Sequence, residues 1–229
     1  MIIICILIII FFLLNYILPH LVKKWWRRRL LKWSHYSGKI YLTFDDGPEI
    51  STTGQILDFL KIHRIKATFF VLGVNVQKNP ELIQRIIKEG HTIGLHGYNH
   101  LNPWNVLPWR GMSDLSLGNK IFKKFGIKTK YVRPPYGKLN LLSLLYIQIK
   151  GLTFVHWNLD PKDYSQNESK KLCDLLKEGI KKGMIVLLHD GRCPGTFPGN
   201  ITVKAFGDFI ESTKISFDLF SQLPINGFH

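Results

Sequence analysis

Carboxylate and imidazole side chains follow short apolar runs in this 229-residue sequence. The run YLTF ends directly in Asp45 and Asp46, and the run HTIGL is followed by His96 and His100. Two imidazoles and one carboxylate form a facial ligand set for a divalent ion and leave positions open for water and substrate. We expect Asp46, His96 and His100 to form this set. The second carboxylate, Asp45, would then accept a proton from an activated water molecule.

Each of these patterns has a simpler explanation when it is taken alone. Asp-Asp-Gly-Pro suits a turn, a lone histidine pair is commonly structural or exposed, and a histidine within MIVLLHD suits a core position. Later apolar runs, however, end in polar residues in the same way: Arg133, Tyr136, Asp160, Asp163, His189 and Asp190. The carboxyl ends of the strands of a β/α barrel share one rim, so all these side chains would converge on a single site.

From residue 39 onward, apolar runs alternate with helical patterns. Seven strands are predicted, at 39–44, 67–72, 91–95, 130–134, 153–159, 184–189 and 215–220. Helices are predicted at 53–63, 79–90, 113–125, 139–149, 167–182 and 202–212. Several strands are almost continuously apolar, which is typical of parallel strands covered on both faces. The pattern predicts a parallel β/α architecture, either a closed barrel or an open doubly wound sheet.

The N-terminus carries a long apolar run. Residues 2–18 are apolar apart from Asn15 and Tyr16, and Pro19 follows. At about 1.5 Å per residue the run is roughly 26 Å long, which is at the lower limit for crossing a bilayer. It has no basic leader, and Pro19-His20 stands where a signal peptide would have small residues. We therefore predict a retained transmembrane anchor over residues 1–19.

The segment that follows mixes tryptophan with basic residues. Residues 20–38 are predicted to lie in the headgroup layer and to contact anionic lipid, and residues 39–229 are predicted to form the catalytic domain. We expect a single-pass protein of the cell membrane. The basic residues all follow the apolar run, which favours a cytoplasmic domain, whereas a wall polymer would require the outer side. The sequence leaves the side open.

The formal net charge of +15 is unevenly distributed. Of 31 basic residues, seven precede the first acidic residue, Asp45, which leaves 24 basic against 16 acidic residues in the remainder. An anionic partner and a solvated basic surface both fit this excess. No nucleic-acid-binding module is recognisable, so no nucleic-acid partner is predicted. The three cysteines lack a CxxC pattern and indicate neither a disulfide framework nor a thiolate metal site.

Five ordered motifs resemble those of the polysaccharide deacetylase family, carbohydrate esterase family 4, which includes chitooligosaccharide and peptidoglycan deacetylases. They are TFDDGP (43–48), HGYNH (96–100), RPPYG (133–137), DPKDY (160–164) and LLH (187–189), with KATFFVLG (66–73) resembling the second strand. The resemblance implies a distorted (β/α)7 TIM-like barrel. It also implies removal of N-acetyl groups with a divalent metal, zinc first and cobalt, nickel or manganese as alternatives.

Taken motif by motif, the resemblance assigns Asp45 as the general base and Asp46, His96 and His100 as the metal ligands. It implies that Arg133 orients Asp45 through a charge-assisted hydrogen bond.

The remaining motifs supply the acid and the substrate contacts. His189 resembles the general acid that protonates the departing amine, with Asp163 as its expected partner and Asp160 left open. The backbone N–H of Tyr136, next to Pro135, would bind the oxyanion. Tyr164 stands where the family usually has tryptophan and would border the substrate.

Three functions therefore stand as alternatives. The first is a metal-dependent deacetylase of an N-acetylated polysaccharide or cell-wall glycan. The second is a deacetylase or deformylase of a polyprenyl-linked amino sugar, reached at the membrane. The third is a non-catalytic glycan-binding protein, which would be expected to lose metal ligands, base or acid, whereas this sequence has all of them.

Overall fold

Strands and helices alternate from residue 41 onward in the computed structural model, which describes residues 2–191 and 199–220. The strands are β1 (Tyr41–Asp45), β2 (Thr68–Val71), β3 (Thr92–Leu95), β4 (Tyr131–Val132), β5 (Thr153–Phe154) and β6 (Ile185–His189). The helices of the domain are α3 (Thr53–Ile62), α4 (Gly73–Lys78), α5 (Pro80–Lys88), α6 (Pro108–Lys124), α7 (Leu141–Ile149), α8 (Ser169–Gly179) and α9 (Asn200–Ser212). Two 3-10 turns, Pro135–Gly137 and Asp163–Ser165, follow β4 and β5.

The six strands form one parallel sheet in the order β5-β4-β3-β2-β1-β6. Beyond β5, Leu159 forms a parallel bridge with Val186 of β6, and the N–H of Leu187 donates to the Leu159 carbonyl at 2.9 Å. The chain after β5 therefore meets the opposite edge, and the sheet curls into a distorted barrel. This arrangement confirms the predicted parallel α/β fold class.

The predicted seventh strand, 215–220, is wrong. These residues run without a sheet assignment, although the N–H of Asp218 donates to the Ile40 carbonyl at 2.8 Å and the ring of Phe220 stacks on Tyr41 with centroids 4.7 Å apart. The reason is that β1 is paired on both sides, with β2 and β6, over Thr43–Asp45. The segment therefore hydrogen-bonds to the chain at Ile40, before the strand begins, and does not form a ladder with it.

Strand β1, which lies between β2 and β6, directs its side chains alternately to the helical layer and to the barrel interior, as the two-residue period of a strand requires. Leu42 and Phe44 join the core between sheet and helices, whereas Tyr41 belongs to the interior cluster. Thr43 and Asp45 share this interior side. The strand therefore ends with the Asp45 carboxylate inside the barrel, at the carboxyl edge of the sheet.

The N-terminal residues form a continuous helical rod. Helix α1 (Ile2–Phe12) passes through a π-helical turn (Leu13–Ile17) into α2 (Leu18–Ser37). Within the described residues this rod is the helix that is long and apolar enough to cross a membrane. The same length and composition suit a membrane anchor or a signal sequence.

One face of α2 packs on the barrel, so lipid contact of residues 20–38, which stays a prediction, is limited to the other faces of the helix. Trp26 is only 2% exposed, and its ring centroid lies 5.7 Å from that of Phe154. The Ser34 hydroxyl donates to the Gly183 carbonyl at 2.9 Å. Trp26, Leu30 and Ser34 recur every fourth residue and form one buried helical stripe, which the basic residues between them conceal in the sequence.

Candidate active site

A buried ion pair lies at the carboxyl end of β1. The Arg133 Nη1 donates to Asp45 Oδ1 at 2.6 Å and to the Thr43 hydroxyl at 2.8 Å. The guanidinium also stacks over the Phe70 ring, 4.1 Å from its centroid. Burial lowers the pKa of Arg133, and the Asp45 charge opposes this. Because both side chains are almost inaccessible to solvent, the pair fixes the orientation of the Asp45 carboxylate.

Asp46, His96 and His100 come together beside this pair. Asp46 Oδ1 lies 3.2 Å from the Nε2 of His96 and 3.3 Å from the Nε2 of His100, and one ligand atom from each residue lies within 4.8 Å of the others. Asp46 Oδ1 is buried without a hydrogen-bond partner. Buried polar atoms are almost always satisfied, and a divalent ion would satisfy this one. The donor set therefore fits a metal.

The two histidines present Nε2 to Asp46. Burial would lower the pKa of His96, but the charges of Asp45 and Asp46 raise it, so metal binding would displace the Nε2 proton of His96. The Nδ1–H of His96 donates to the Arg133 carbonyl, which directs the Nε2 lone pair toward Asp46. Burial lowers the pKa of His100 to about 4 although Asp46 opposes the shift, so its ring is neutral at pH 7, as metal binding requires. Asp46 and His100 have φ of 75° and 59°. Left-handed backbone at non-glycine residues costs about 1–3 kcal/mol each and is concentrated at functional sites.

His189 is held by Asp163 on the other side of the site. The Nδ1 of His189 lies 2.7 Å from Asp163 Oδ1, and the His189 N–H donates to Oδ2 at 2.8 Å. Burial alone would lower the pKa of His189, but the charge and hydrogen bond of Asp163 outweigh it and raise the pKa to about 10. Asp160, the other candidate partner, instead accepts from the Lys162 N–H at 2.9 Å. The structure thus places Asp163 against His189.

Replacing Asp163 with Asn should lower the pKa of His189 from about 10 toward its ordinary value of 6.5. Because the pKa of His189 is higher in the folded than in the unfolded protein, protonation of His189 stabilises the fold fully below pH 6.5. This contribution to stability is lost as the pH rises toward 10. The stability difference between wild type and variant should therefore be largest at low pH and shrink across that interval. An NMR titration of the His189 ring in metal-free protein measures the shift. The matched control is Asp160→Asn, and an equal shift in both variants would contradict the assignment.

Asp45, the metal-ligand cluster and His189 line one cleft. Its volume is about 390 Å3, within the range of small-ligand sites. Its lining residues are Asp45, Asp46, His96, His100, Tyr136, Lys138, Trp157, Asp160, Tyr164, Leu187 and His189. The Tyr164 ring meets His189 edge-on at 5.3 Å. Tyr136 stands at the rim with φ 57°. Pro135 is buried and is not part of this lining, so of the predicted substrate residues Tyr136 and Tyr164 border the cleft.

Asp190, to which no role could be assigned from the sequence, supports the turn after Asp46. Its carboxylate accepts from the Gly47 N–H at 3.1 Å and from the Thr53 hydroxyl at 2.7 Å. Burial raises the pKa of Asp190 to about 7. Its place directly after His189, at a strand end, was a usable signal.

A second carboxylate, Asp114, holds the loop between His96 and His100. It accepts from the backbone N–H groups of Tyr98 at 3.0 Å and Asn99 at 2.8 Å, and burial raises its pKa. Asp114 lies within helix α6, far from any strand end. Nothing in the spacing of the sequence indicates this contact.

Known proteins are similar to this chain in sequence and in fold. The family model for polysaccharide deacetylase matches residues 34–155. A peptidoglycan-N-acetylglucosamine deacetylase of Bacillus cereus is 38% identical over 154 residues, which cover 66% of this chain and 72% of the relative. A chitooligosaccharide deacetylase of Rhizobium leguminosarum bv. trifolii is 36% identical over 178 residues, which cover 74% of this chain and 79% of that relative. The solved structure of the peptidoglycan deacetylase PdaC from Bacillus subtilis superposes with a TM-score of 0.67 at 32% identity, covering 76% of this chain and 82% of that one.

Proposed function

The chain belongs to the polysaccharide deacetylase family, and we propose that it is a metal-dependent hydrolase that removes N-acetyl groups from a cell-wall glycan. The observation that carries the proposal is the convergence, in one cleft, of a buried carboxylate, a metal-ligand cluster and a carboxylate-held histidine. Its relatives named as deacetylases of peptidoglycan and chitooligosaccharides support this substrate class.

Asp46, His96 and His100 would hold the divalent ion, which we propose to be zinc because two imidazoles and one carboxylate suit it. Cobalt, nickel and manganese accept the same donors. When bound, the ion would polarise the amide carbonyl and lower the pKa of water from about 16 toward about 7.

The protein side chains move the protons. Asp45 Oδ2 lies 3.8 Å from His96 Nε2, so it faces the ligand cluster while Oδ1 is held by Arg133. It would accept a proton from the attacking water as the new carbon–oxygen bond forms. The N–H of Tyr136 would donate to the oxyanion. His189 would give its Nε2 proton to the amide nitrogen as the carbon–nitrogen bond breaks, releasing acetate and a free amino sugar.

A polyprenyl-linked amino sugar is the second candidate substrate, for a specific reason. Lys138 lines the cleft, and its Nζ lies 5.0 Å from the Trp104 ring centroid. The same ring lies 6.4 Å from His20 of α2. The cleft wall thus adjoins the N-terminal helix just after its apolar run, and a lipid-linked sugar would be presented beside that run. A formyl amide would undergo the same hydrolysis as an acetyl amide.

Acetate release by the full-length chain in detergent, with zinc or cobalt added, tests the proposal. We expect release from chitooligosaccharides that depends on Asp45, with Asp45→Asn as the inactive partner. Release from polyprenyl-linked N-acetylglucosamine alone would favour the second candidate. Metal binding with no release from either substrate would leave the non-catalytic, glycan-binding alternative.

A further inference from the structure

The apolar helical rod packs against the catalytic domain before its apolar run is over. The π-helical turn Leu13–Ile17 contacts α7, and the Tyr16 ring lies 6.2 Å from that of Trp104. Both contacts fall inside the apolar run 2–18 and not beyond its end. A bilayer that takes up this run therefore reaches the helix that the run contacts. A rod that crosses the membrane therefore holds α7 at the level of the bilayer surface.

The exposed side of α7 is apolar. Leu145 and Ile149 lie one helical turn apart and are 45% and 78% exposed. A solvated helix normally presents polar residues on this face. Single exposed apolar residues need no explanation, but these two belong to the helix that contacts the apolar rod.

The loop that leads into α6 and the first turn of that helix also expose apolar side chains. Leu107 and Trp109 are 54% and 53% exposed. The loop is tied to the start of α7, because the Asn140 side chain donates to the carbonyls of Pro103 and Pro108 at 3.2 Å each. Together with Leu145 and Ile149, these two side chains are termed the α7 face below.

The charged residues of the segment that contains α6 and α7 are mostly basic. Residues 101–158 contain nine basic residues and one acidic residue, Asp114. Asp114 is buried, and so is one of the nine, Arg133, which pairs with Asp45. Arg110 and Lys150 are exposed and directly follow Trp109 and Ile149. A basic surface beside apolar side chains is suited to anionic lipid, which attracts lysine and arginine side chains close to the bilayer.

We propose that the catalytic domain is seated on an anionic bilayer through the α7 face, with its apolar side chains inserted at the headgroup boundary and Arg110 and Lys150 among the headgroups. This seating rests on the predicted membrane anchor, that is, on the N-terminal rod crossing the bilayer. It does not depend on the proposed deacetylation. It holds the cleft wall at Lys138 and Trp104 beside the lipid surface.

Site-directed spin labels on the full-length chain test the seating. The three natural cysteines are first replaced by alanine, and one new cysteine is introduced at a time as Ile149→Cys, Ile62→Cys or Leu7→Cys. Ile62, at the end of α3, is the matched control because it is an isoleucine of similar exposure, 72%. Leu7 reports on the rod itself. The protein is reconstituted in phosphatidylcholine vesicles with or without phosphatidylglycerol, and accessibility to oxygen and to a water-soluble nickel chelate gives the depth of each label.

We expect the label at 149 to lie about 5–10 Å below the headgroup boundary, the label at 62 to lie in water and the label at 7 to lie in the hydrocarbon core. Omitting phosphatidylglycerol should make the label at 149 shallower. Labels at 149 and 62 that are equally accessible to the nickel chelate would overturn the seating even if the label at 7 is in lipid. A label at 7 in water would overturn its premise. Deacetylase activity, assayed separately on a soluble glycan, is not affected by either result.

Discussion

Replacing His96 with alanine is expected to abolish zinc retention and to lower turnover by about 10³-fold or more. The loss follows from removing one of three ligands and, with it, several kcal/mol of transition-state stabilisation that a bound ion supplies, where each 1.4 kcal/mol is a factor of ten in rate. Asp46→Asn should give the same result. It keeps the side-chain shape and tolerates the left-handed backbone at φ 75°, so folding is preserved while the ligand charge is lost.

Zinc per protein chain, measured by mass spectrometry on purified protein, checks this prediction together with acetate release. His91→Ala is the matched control, because His91 is also a buried histidine (9% exposed) and its Nδ1 accepts from the Ala67 N–H at 3.2 Å, outside the cleft. The control should keep its zinc. A His96→Ala protein that retained both stoichiometric zinc and full turnover would remove His96 from the ligand set.

The sequence predicted the placement of the site because the chemistry lies at strand ends. β1 ends in Asp45 and is followed directly by Asp46, and β3 is followed directly by His96. Parallel strands bring such ends to one edge whatever the details of the sheet. The same logic reached His189 at the end of β6. Local sequence patterns are enough to locate these strand ends because a buried parallel strand has a distinctive, almost continuously apolar composition.

Tertiary packing decided what the sequence left open or missed. Asp163 rather than Asp160 meets His189 because the 3-10 turn Asp163–Ser165 directs it there, and no spacing rule separates two carboxylates three residues apart. Residues 215–220 have strand-like composition, but β1 already pairs with both β2 and β6 over Thr43–Asp45.

The N-terminal rod and the support of the metal loop show the same limit. α2 buries Trp26 against Phe154, although its basic residues read as solvated or lipid-facing. Asp114 reaches its loop from within a helix. Contacts of this kind depend on which surfaces meet, and that information is distributed over the whole chain.

Asp45→Asn should lower turnover by about 10²–10⁴-fold, the usual contribution of a general base, while zinc stays bound. The reason is that Asp46, His96 and His100 are untouched, whereas the group that would accept the water proton is lost. This outcome separates the roles of the two adjacent carboxylates, since Asp46→Asn should lose both zinc and rate. Loss of zinc from Asp45→Asn would instead reassign Asp45 as a ligand.

The same substitution leaves Arg133 buried without its counter-charge. Removing one partner of a buried ion pair typically costs about 3–5 kcal/mol of folding stability, and the Asn amide oxygen, which still accepts a hydrogen bond, should keep the loss near the lower end. The double variant Asp45→Asn/Arg133→Met removes both charges and should recover much of the stability without recovering turnover. Urea unfolding and acetate release are measured for wild type, Asp45→Asn and the double variant, which distinguishes a lost base from a damaged fold. If turnover returned together with stability in the double variant, Asp45 would matter only as the partner of Arg133.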